Sequence, residues 1–253
     1  MDPVSTEIGL MDPQWTYFLI LGASILYPLA QSFEKRVYMY RKFRFMLPGI
    51  LVTGAVYIVW DIWFTKTGIW GFNPNYTRHV ELFGLPVEEW LFFLIVPYAC
   101  IFLFEVLRLF VKKFYYPQIA KWVLWVLLLA SAISLPFVYS RTYTFTAISF
   151  TGLMLLLQLL QKTYKTWFSG FLIAYLLSLV PFMVVNGLLT ALPVVWYDNT
   201  ENLGLRLFTV PLDDFIYLMG LLLPAINIYQ ILLHRYASPA LREKMGLDRI
   251  TGF

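Results

Sequence analysis

Seven long apolar runs follow one another along this chain of 253 residues, and short polar segments separate them. An α-helix needs about 20 largely apolar residues to cross the hydrocarbon core of a bilayer. The runs have about this length, and the linkers leave no room for a soluble domain. The pattern predicts an all-α integral membrane protein with seven transmembrane helices, over residues 15–32, 45–64, 87–110, 121–140, 143–160, 168–192 and 212–233.

Composition and charge support this class and predict its orientation. Only 13% of the residues are charged, against about 25% in soluble domains. Of the 19 Lys and Arg residues, 15 fall in the tail or in segments after predicted helices one, three and five, and the others are Lys66, Arg78, Arg141 and Arg206. The positive-inside rule then predicts a protein of the cell membrane with its N-terminus outside and its C-terminus in the cytoplasm.

The same distribution bears on partners and processing. The net charge of +4 arises from one-sided loops, so no nucleic-acid partner is predicted. The first residues lack the basic stretch that opens a cleaved signal peptide, and no such peptide is expected. Membrane lipids are the expected surroundings.

The chain repeats itself at an offset of 125 positions. The segment VEEWLFF aligns with LDDFIYL, so that Glu88 matches Asp213, Glu89 matches Asp214, and Asp61 matches Asn186. We therefore predict two three-helix repeats, 1–118 and 142–253, joined by a linker helix within 119–141. One extra span makes the repeats parallel, related by a pseudo-twofold axis along the membrane normal, and both acidic motifs then face one cavity between the halves.

Two interpretations of the acidic pairs remain open. A proline followed by acids is a common helix start, because carboxylates favour the positive end of the helix dipole. Alternatively, a carboxyl group beside a dry aromatic wall can donate a proton to an apolar substrate. Neighbours on a helix point about 100° apart, so only one member of each pair is expected to face the cavity.

Aromatic residues crowd the outer ends of the same helices. Aromatic faces attract positive charge, although Trp and Tyr also form interfacial belts in most membrane proteins. The candidates for substrate contact are Trp60, Trp63, Trp70, Phe72, Trp90, Phe92, Phe93 and Tyr217.

Several motifs are missing from the sequence. There is no GxGxxG motif for a flavin or nicotinamide, and the only two histidines, His79 and His234, fall on opposite sides of the membrane. No metal and no cofactor is predicted. Acidic and aromatic residues without a motif for a redox cofactor favour acid–base chemistry on a hydrophobic substrate.

Three segments, WDIWFTKTGIWGFNPNY, LPVEEWLFFLIVPYACIFLFE and RLFTVPLDDFIYLMGLLL, resemble the membrane lycopene cyclases of the heterodimeric type, in their fused single-chain form. The resemblance implies a lycopene β-cyclase, an isomerase of the intramolecular lyase type, that makes γ-carotene and β-carotene. An acid would protonate C2 of the acyclic ψ end, and loss of the C6 proton would leave a β-ionone ring. The second motif departs from the family pattern, because Asp213 stands where Glu is usual.

The resemblance also assigns residues. It implies catalytic roles for Glu88, Glu89, Asp213, Asp214 and Asp61. Asn186 would be a hydrogen-bond partner that orients an acid. Arg206 lies close before the second acidic pair in the sequence, and its charge makes it a candidate to pair with one acid and keep it ionised.

Two other classes remain as alternatives: a proton-coupled transporter, and a non-catalytic carotenoid-binding subunit. A carrier would need polar groups at the midplane of several spans. The partners expected for the enzyme are lycopene from the bilayer, with other carotenoid-pathway enzymes or a second copy of the chain as further candidates.

Overall fold

The computed structural model describes residues 12–111, 115–239 and 241. Five of the basic residues behind the predicted orientation, Lys112, Lys113, Arg242, Lys244 and Arg249, lie outside the described residues, as do both ends of the chain.

Within these ranges the chain forms seven α-helices. They are α1 (Thr16–Gln31), α2 (Met39–Thr67), α3 (Val87–Phe110), α4 (Pro117–Val138), α5 (Thr142–Leu160), α6 (Phe168–Ala191) and α7 (Asp213–Tyr236). Single 3₁₀ turns lie at Pro13–Trp15, Pro74–Tyr76 and Thr163–Lys165.

Six of the seven helices, α2 to α7, are long and apolar enough to cross a membrane. The first helix has 16 residues, which corresponds to about 24 Å against a hydrocarbon core of about 30 Å. An all-α multi-pass membrane protein is therefore supported, whereas the described structure yields six qualifying spans instead of the seven expected.

The predicted start of α2 at residue 45 was too late. The helix begins at Met39, and the side chain of Lys42 is fully buried. It is buried because Glu105 of α3 neutralises it, so a charge that sequence reasoning placed in a loop belongs to the helix. At the other end α2 stops at Thr67, because Gly68 adopts a left-handed conformation with φ of 76°.

Six short strands lie at the end of the bundle where α2 and α6 end and α3 and α7 begin. They are β1 (Trp70–Phe72), β2 (Glu81–Leu82), β3 (Leu85–Pro86), β4 (Val195–Tyr197), β5 (Arg206–Leu207) and β6 (Val210–Pro211). Strands β2 and β3 form one hairpin, and β5 and β6 form another. Each residue pair of the first hairpin has its equivalent in the second, 125 positions later in the chain. Their turns match as well, because Phe83 and Phe208 both have positive φ, 57° and 54°.

Strands β1 and β4 pair with each other, and they too are equivalent at the offset of 125. Trp70 lies opposite Tyr197, Gly71 opposite Trp196, and Phe72 opposite Val195. Gly71 therefore faces its own counterpart, which is the register that a twofold axis between two equivalent strands produces. A side chain at position 71 has no room, since a Cβ there would lie 2.4 Å from the Trp196 ring.

A buried charge cluster lies at the opposite end of the bundle. The Lys42 Nζ atom lies 2.5 Å, and the Arg108 Nη2 atom 2.6 Å, from Oε2 of Glu105. The side chains of Lys42 and Glu105 are fully buried, and that of Arg108 is 3% exposed. One carboxylate thus pairs with two cations between α2 and α3.

Removing this carboxylate should destabilise the bundle strongly. In Glu105→Ala two buried cations lose their counter-charge, and we expect a loss of about 3–5 kcal/mol in the free energy of unfolding. Glu81→Ala, which removes an exposed carboxylate at the other end, should change it by less than about 0.5 kcal/mol. Denaturant unfolding in detergent measures both. Equal stability of the two variants would contradict the structural role of the cluster.

Candidate active site

A cavity lies beneath the paired strands β1 and β4, between the two halves of the bundle. Its empty volume, which includes space open to the outside, is about 500 Å³. Its polar lining consists of Tyr17, Glu89, Tyr143, Asn186, Tyr197 and Asp214, and its aromatic lining includes Trp70, Phe72, Phe92, Phe182 and Tyr217. Across the described part of the chain, no three His, Cys, Asp or Glu side chains come together as a metal site.

Each acidic pair is divided between two tasks. Glu89 and Asp214 line the cavity. Glu88 instead accepts a hydrogen bond from the backbone N–H of Arg78 at 2.8 Å, and Asp213 accepts one from the N–H of Leu203 at 3.1 Å. Both N–H donors lie ten residues before their acceptors, so the first acid of each pair holds the loop that precedes its own helix. The rotation of about 100° between neighbouring helical residues produces this division.

The carboxyl group of Glu89 lies beside a second acid. Tyr17 donates a hydrogen bond to Glu89, and the carboxyl groups of Glu89 and Asp61 are themselves in hydrogen-bonding contact. Asp61 is fully buried and accepts hydrogen bonds from Trp70 and Thr65 through Oδ1. Its Oδ2 atom has no N–H or hydroxyl donor in the described ranges. A hydrogen bond between two carboxyl groups requires that one of them carry a proton, so this arrangement favours a proton shared by the pair.

Asp214 has the opposite surroundings. Its carboxyl group accepts hydrogen bonds from Tyr143 at 2.6 Å, from the Asn186 amide at 2.5 Å and from Tyr197 at 3.0 Å. Three donors satisfy an ionised carboxylate, which can only accept. Burial raises the pKa of Tyr197 well above its usual value, and the nearby charge of Asp214 raises this pKa further. Tyr197 therefore keeps its proton and remains a donor at neutral pH.

Four aromatic rings surround the space between the two acids. The ring centroid of Trp70 lies 5.1 Å from that of Tyr143, 5.6 Å from that of Tyr217 and 6.1 Å from that of Tyr197. Their quadrupoles place negative potential on ring faces, which attract a cation. The cavity thus combines Glu89, which contacts a second acid, Asp214 with its three donors, and aromatic rings whose faces favour a cation.

The cavity includes only part of the predicted set of contact residues. Trp70, Phe72, Phe92, Tyr217 and Asn186 line it. The other aromatic candidates lie elsewhere, as follows: Trp60 packs between Tyr57 and Phe150, Phe93 packs on Tyr57, Trp63 is 46% exposed on the surface, and Trp90 lines a surface groove between α2 and α3. These four do not line the cavity, because their positions on α2 and α3 turn them to other faces.

The expectation that Arg206 pairs with an acid was wrong. Its guanidinium donates to the Thr209 carbonyl oxygen at 2.6 Å and to the Asn199 side chain at 2.8 Å. It also lies over the Tyr197 ring, 5.6 Å from the centroid. Arg206 is exposed on β5, whereas the acids of α7 point into the bundle, so the side chain packs on the loop instead.

Sequence reasoning missed three tyrosines and Phe182. Tyr17 and Tyr143 occupy equivalent places, since each donates a hydrogen bond to the second acid of its own half. A signal existed, because Thr16–Tyr17 and Thr142–Tyr143 repeat the same dipeptide. The two dipeptides are 126 positions apart, one more than the acidic motifs. Aligning the sequence with itself at the single offset of 125 therefore does not pair them. Tyr197 carried no such signal, because its equivalent is Phe72.

Comparison with known proteins gives one match. The model of a family described as lycopene cyclase matches residues 14–107 and 140–232. The two stretches lie 125 to 126 positions apart, cover the two halves of the cavity and leave out the whole of α4. No curated protein and no solved structure matches the chain.

The loop-holding role of Glu88 and Asp213 can be tested by hydrogen–deuterium exchange. A hydrogen bond to a charged group contributes about 1.5–3 kcal/mol, so its loss should speed exchange of the bound amide by about tenfold or more. Asp213→Ala should speed exchange in the peptide containing Leu203 but not in the one containing Arg78. Glu88→Ala should do the reverse, and each variant is the control for the other. Unchanged exchange in both would remove this role.

Proposed function

The chain belongs to the lycopene cyclase family, and we propose that it closes the acyclic ψ ends of lycopene into β-ionone rings, giving γ-carotene and then β-carotene. The observation that carries the proposal is the unequal hydrogen bonding of the acids at a single aromatic cavity: Glu89 and Asp61 contact each other, whereas Asp214 accepts from three donors. Substrate and product are isomers, so the reaction is an isomerisation of the intramolecular lyase type and needs no electron carrier.

In the proposed reaction one proton enters the substrate and another leaves it. The C1=C2 double bond takes a proton at C2, which leaves a cation at C1. The C5=C6 double bond attacks C1 and forms the C1–C6 bond, and the positive charge moves to C5. Loss of the C6 proton then restores a C5=C6 double bond inside the new ring.

We assign the donor role to the pair formed by Asp61 and Glu89. The contact between its two buried carboxyl groups favours a proton on the pair, and Glu89 lines the cavity while Asp61 does not. Asp61 accepts from Trp70 and Thr65, so it can take the negative charge when Glu89 gives up the proton. General acid catalysis needs such a proton within reach of the reacting carbon.

We assign the acceptor role to Asp214. Its three donors favour the ionised form before reaction. A carboxylate near the ring also stabilises the positive charge that develops at C5. The wall of Trp70, Tyr143 and Tyr217 adds cation–π attraction, worth roughly 0.5–2 kcal/mol per contact. The apolar lining keeps water from capturing the cation.

We further propose that the chain consists of two parallel repeats, 1–118 and 142–253, with a linker helix in 119–141, and that it lies in the cell membrane with its N-terminus outside. The equivalent pairing of β1 with β4 supports the repeats. The described basic residues Arg41, Arg44, Lys162 and Lys165 lie at the end away from the cavity, which supports the orientation. Lycopene would come from the bilayer.

The donor assignment predicts different effects for neighbouring acids. In lycopene-accumulating cells, Glu89→Gln should lower ring formation by at least about 100-fold, because general acid catalysis contributes that much or more. Glu88→Gln is the matched control: its amide oxygen can still accept from Arg78, and most activity should remain. Pigment extraction and chromatography measure both, with the membrane level of each variant checked by blotting.

Acid initiation also predicts an isotope result. Membranes incubated with lycopene in D₂O should place one deuterium at C2 of each new ring, which mass spectrometry detects. Unchanged lycopene with well-expressed wild-type protein would contradict the cyclase and favour a carotenoid-binding subunit or a carrier.

The acceptor assignment predicts altered products instead of simple inactivity. In Asp214→Asn the cation still forms but loses its base, so a larger share of products should have a shifted ring double bond or an added hydroxyl group. Glu89→Gln should leave unreacted lycopene, because no cation forms. If Asp214→Asn leaves only unreacted lycopene while Glu89→Gln gives shifted rings, the two roles must be exchanged.

A further inference from the structure

A groove with an empty volume of about 920 Å³ runs between α1, α3 and α6. Its walls are almost entirely apolar and include Val96, Leu103, Pro181 and Val185. Phe182 lines both this groove and the acid cavity. The two spaces therefore meet on opposite sides of one side chain.

We propose that this groove holds the conjugated chain of the carotenoid whose ψ end lies in the acid cavity, and that the substrate enters from the lipid through it. The proposal rests on the proposed function and adds a binding site to it. A carotenoid is much longer than the acid cavity, so when its ψ end lies there the rest of the molecule must leave the cavity along an apolar path. The groove is such a path, and Tyr27 at its rim is 68% exposed on the outer face of α1.

The equivalent place in the other half of the protein is filled. At the offset of 125, Val185 of the groove corresponds to Trp60, and Phe182 corresponds to Tyr57. The ring of Trp60 lies 5.3 Å from that of Tyr57. A large indole thus occupies the space that Val185 leaves open.

Helices α1 and α5 also carry a small side chain in one half and a large one at the equivalent place in the other. Their offset is 126, as Tyr17 and Tyr143 establish, so Ser24 of the groove corresponds to Phe150. The ring of Phe150 lies 5.6 Å from that of Trp60. Trp60 and Phe150 therefore fill the space in one half of the protein, whereas their smaller equivalents Val185 and Ser24 leave it open in the other half.

Backbone packing reinforces this difference. A Cβ on Gly49 of α2 would lie 2.4 Å from the carbonyl oxygen of Ala225 in α7, so these two helices touch directly. The equivalents of Gly49 and Ala225 are Ala174 and Cys100, and Cys100 lines the groove. The closed interface uses glycine to bring backbones together, and the open interface leaves space between α3 and α6.

The test places large aromatic side chains in the groove, at the positions equivalent to Trp60 and Phe150. In the double variant Val185→Trp/Ser24→Phe, overfilling the groove should lower conversion of lycopene by about tenfold or more. Ala99→Phe fills the same groove from α3 and should have the same effect if the double variant fails to accumulate. Ala55→Trp is the control, because it fills the groove between α2 and α3, which shares no lining residue with the acid cavity; its activity should stay within about twofold of wild type.

A binding measurement separates this proposal from the proposed function. Purified Glu89→Gln protein in phospholipid vesicles with lycopene should show circular dichroism in the visible band, because a chiral groove twists the achiral polyene. The groove-filling substitutions added to Glu89→Gln should weaken this signal by about tenfold, and Ala55→Trp should not.

Full activity or an undiminished signal in the groove-filling variants would overturn the proposal, and the groove would then hold a lipid acyl chain. A strong, groove-dependent signal from a protein that leaves lycopene uncyclised would support the groove and contradict the cyclase.

Discussion

A carboxyl group out of water must either keep a proton or receive hydrogen bonds from several donors, and this constraint organises the whole strand end of the protein. Asp61 and Glu89 contact each other, an arrangement that favours a shared proton. Asp214 meets it with three donors taken from α5, α6 and β4. Helices α2, α3, α5, α6 and α7 and the β1–β4 pair must therefore come together before the acids can be buried. The geometry that stabilises these acids also gives them unequal hydrogen-bond partners.

The two halves have equivalent backbone structure at the strand end of the bundle but differ in several side chains. The hairpins, the β1–β4 register and the loop-holding acids Glu88 and Asp213 repeat with the same geometry. The side chains that matter for chemistry do not repeat: Asn186 replaces Asp61, and Val185 replaces Trp60. Divergence at these positions gives the two acids of the cavity different partners, and it leaves a groove open beside the cavity in one half only.

Much of this could be predicted from the sequence, and the failures have physical causes. Helix α3 was predicted at its observed bounds, because an acidic start and a long apolar run mark both ends. The start of α2 was misplaced, because Lys42 is charged and only its pairing with Glu105 in another helix makes it a buried residue. Arg206 was assigned to an acid because opposite charges lie near each other in sequence, whereas its carbonyl and amide partners depend on how the loop folds.

The sequence by itself determined the class of the protein, the 125-residue repeat and the acids that repeat with it, because apolar length, charge asymmetry and motif spacing are properties of the chain read in order. Only the tertiary structure decided which acid of each pair enters the cavity, which tyrosines and amide hold it, and which side of the bundle stays open. Those outcomes depend on side-chain direction around each helix and on contacts between residues as far apart as Tyr17 and Glu89, and such contacts exist only once the helices have packed.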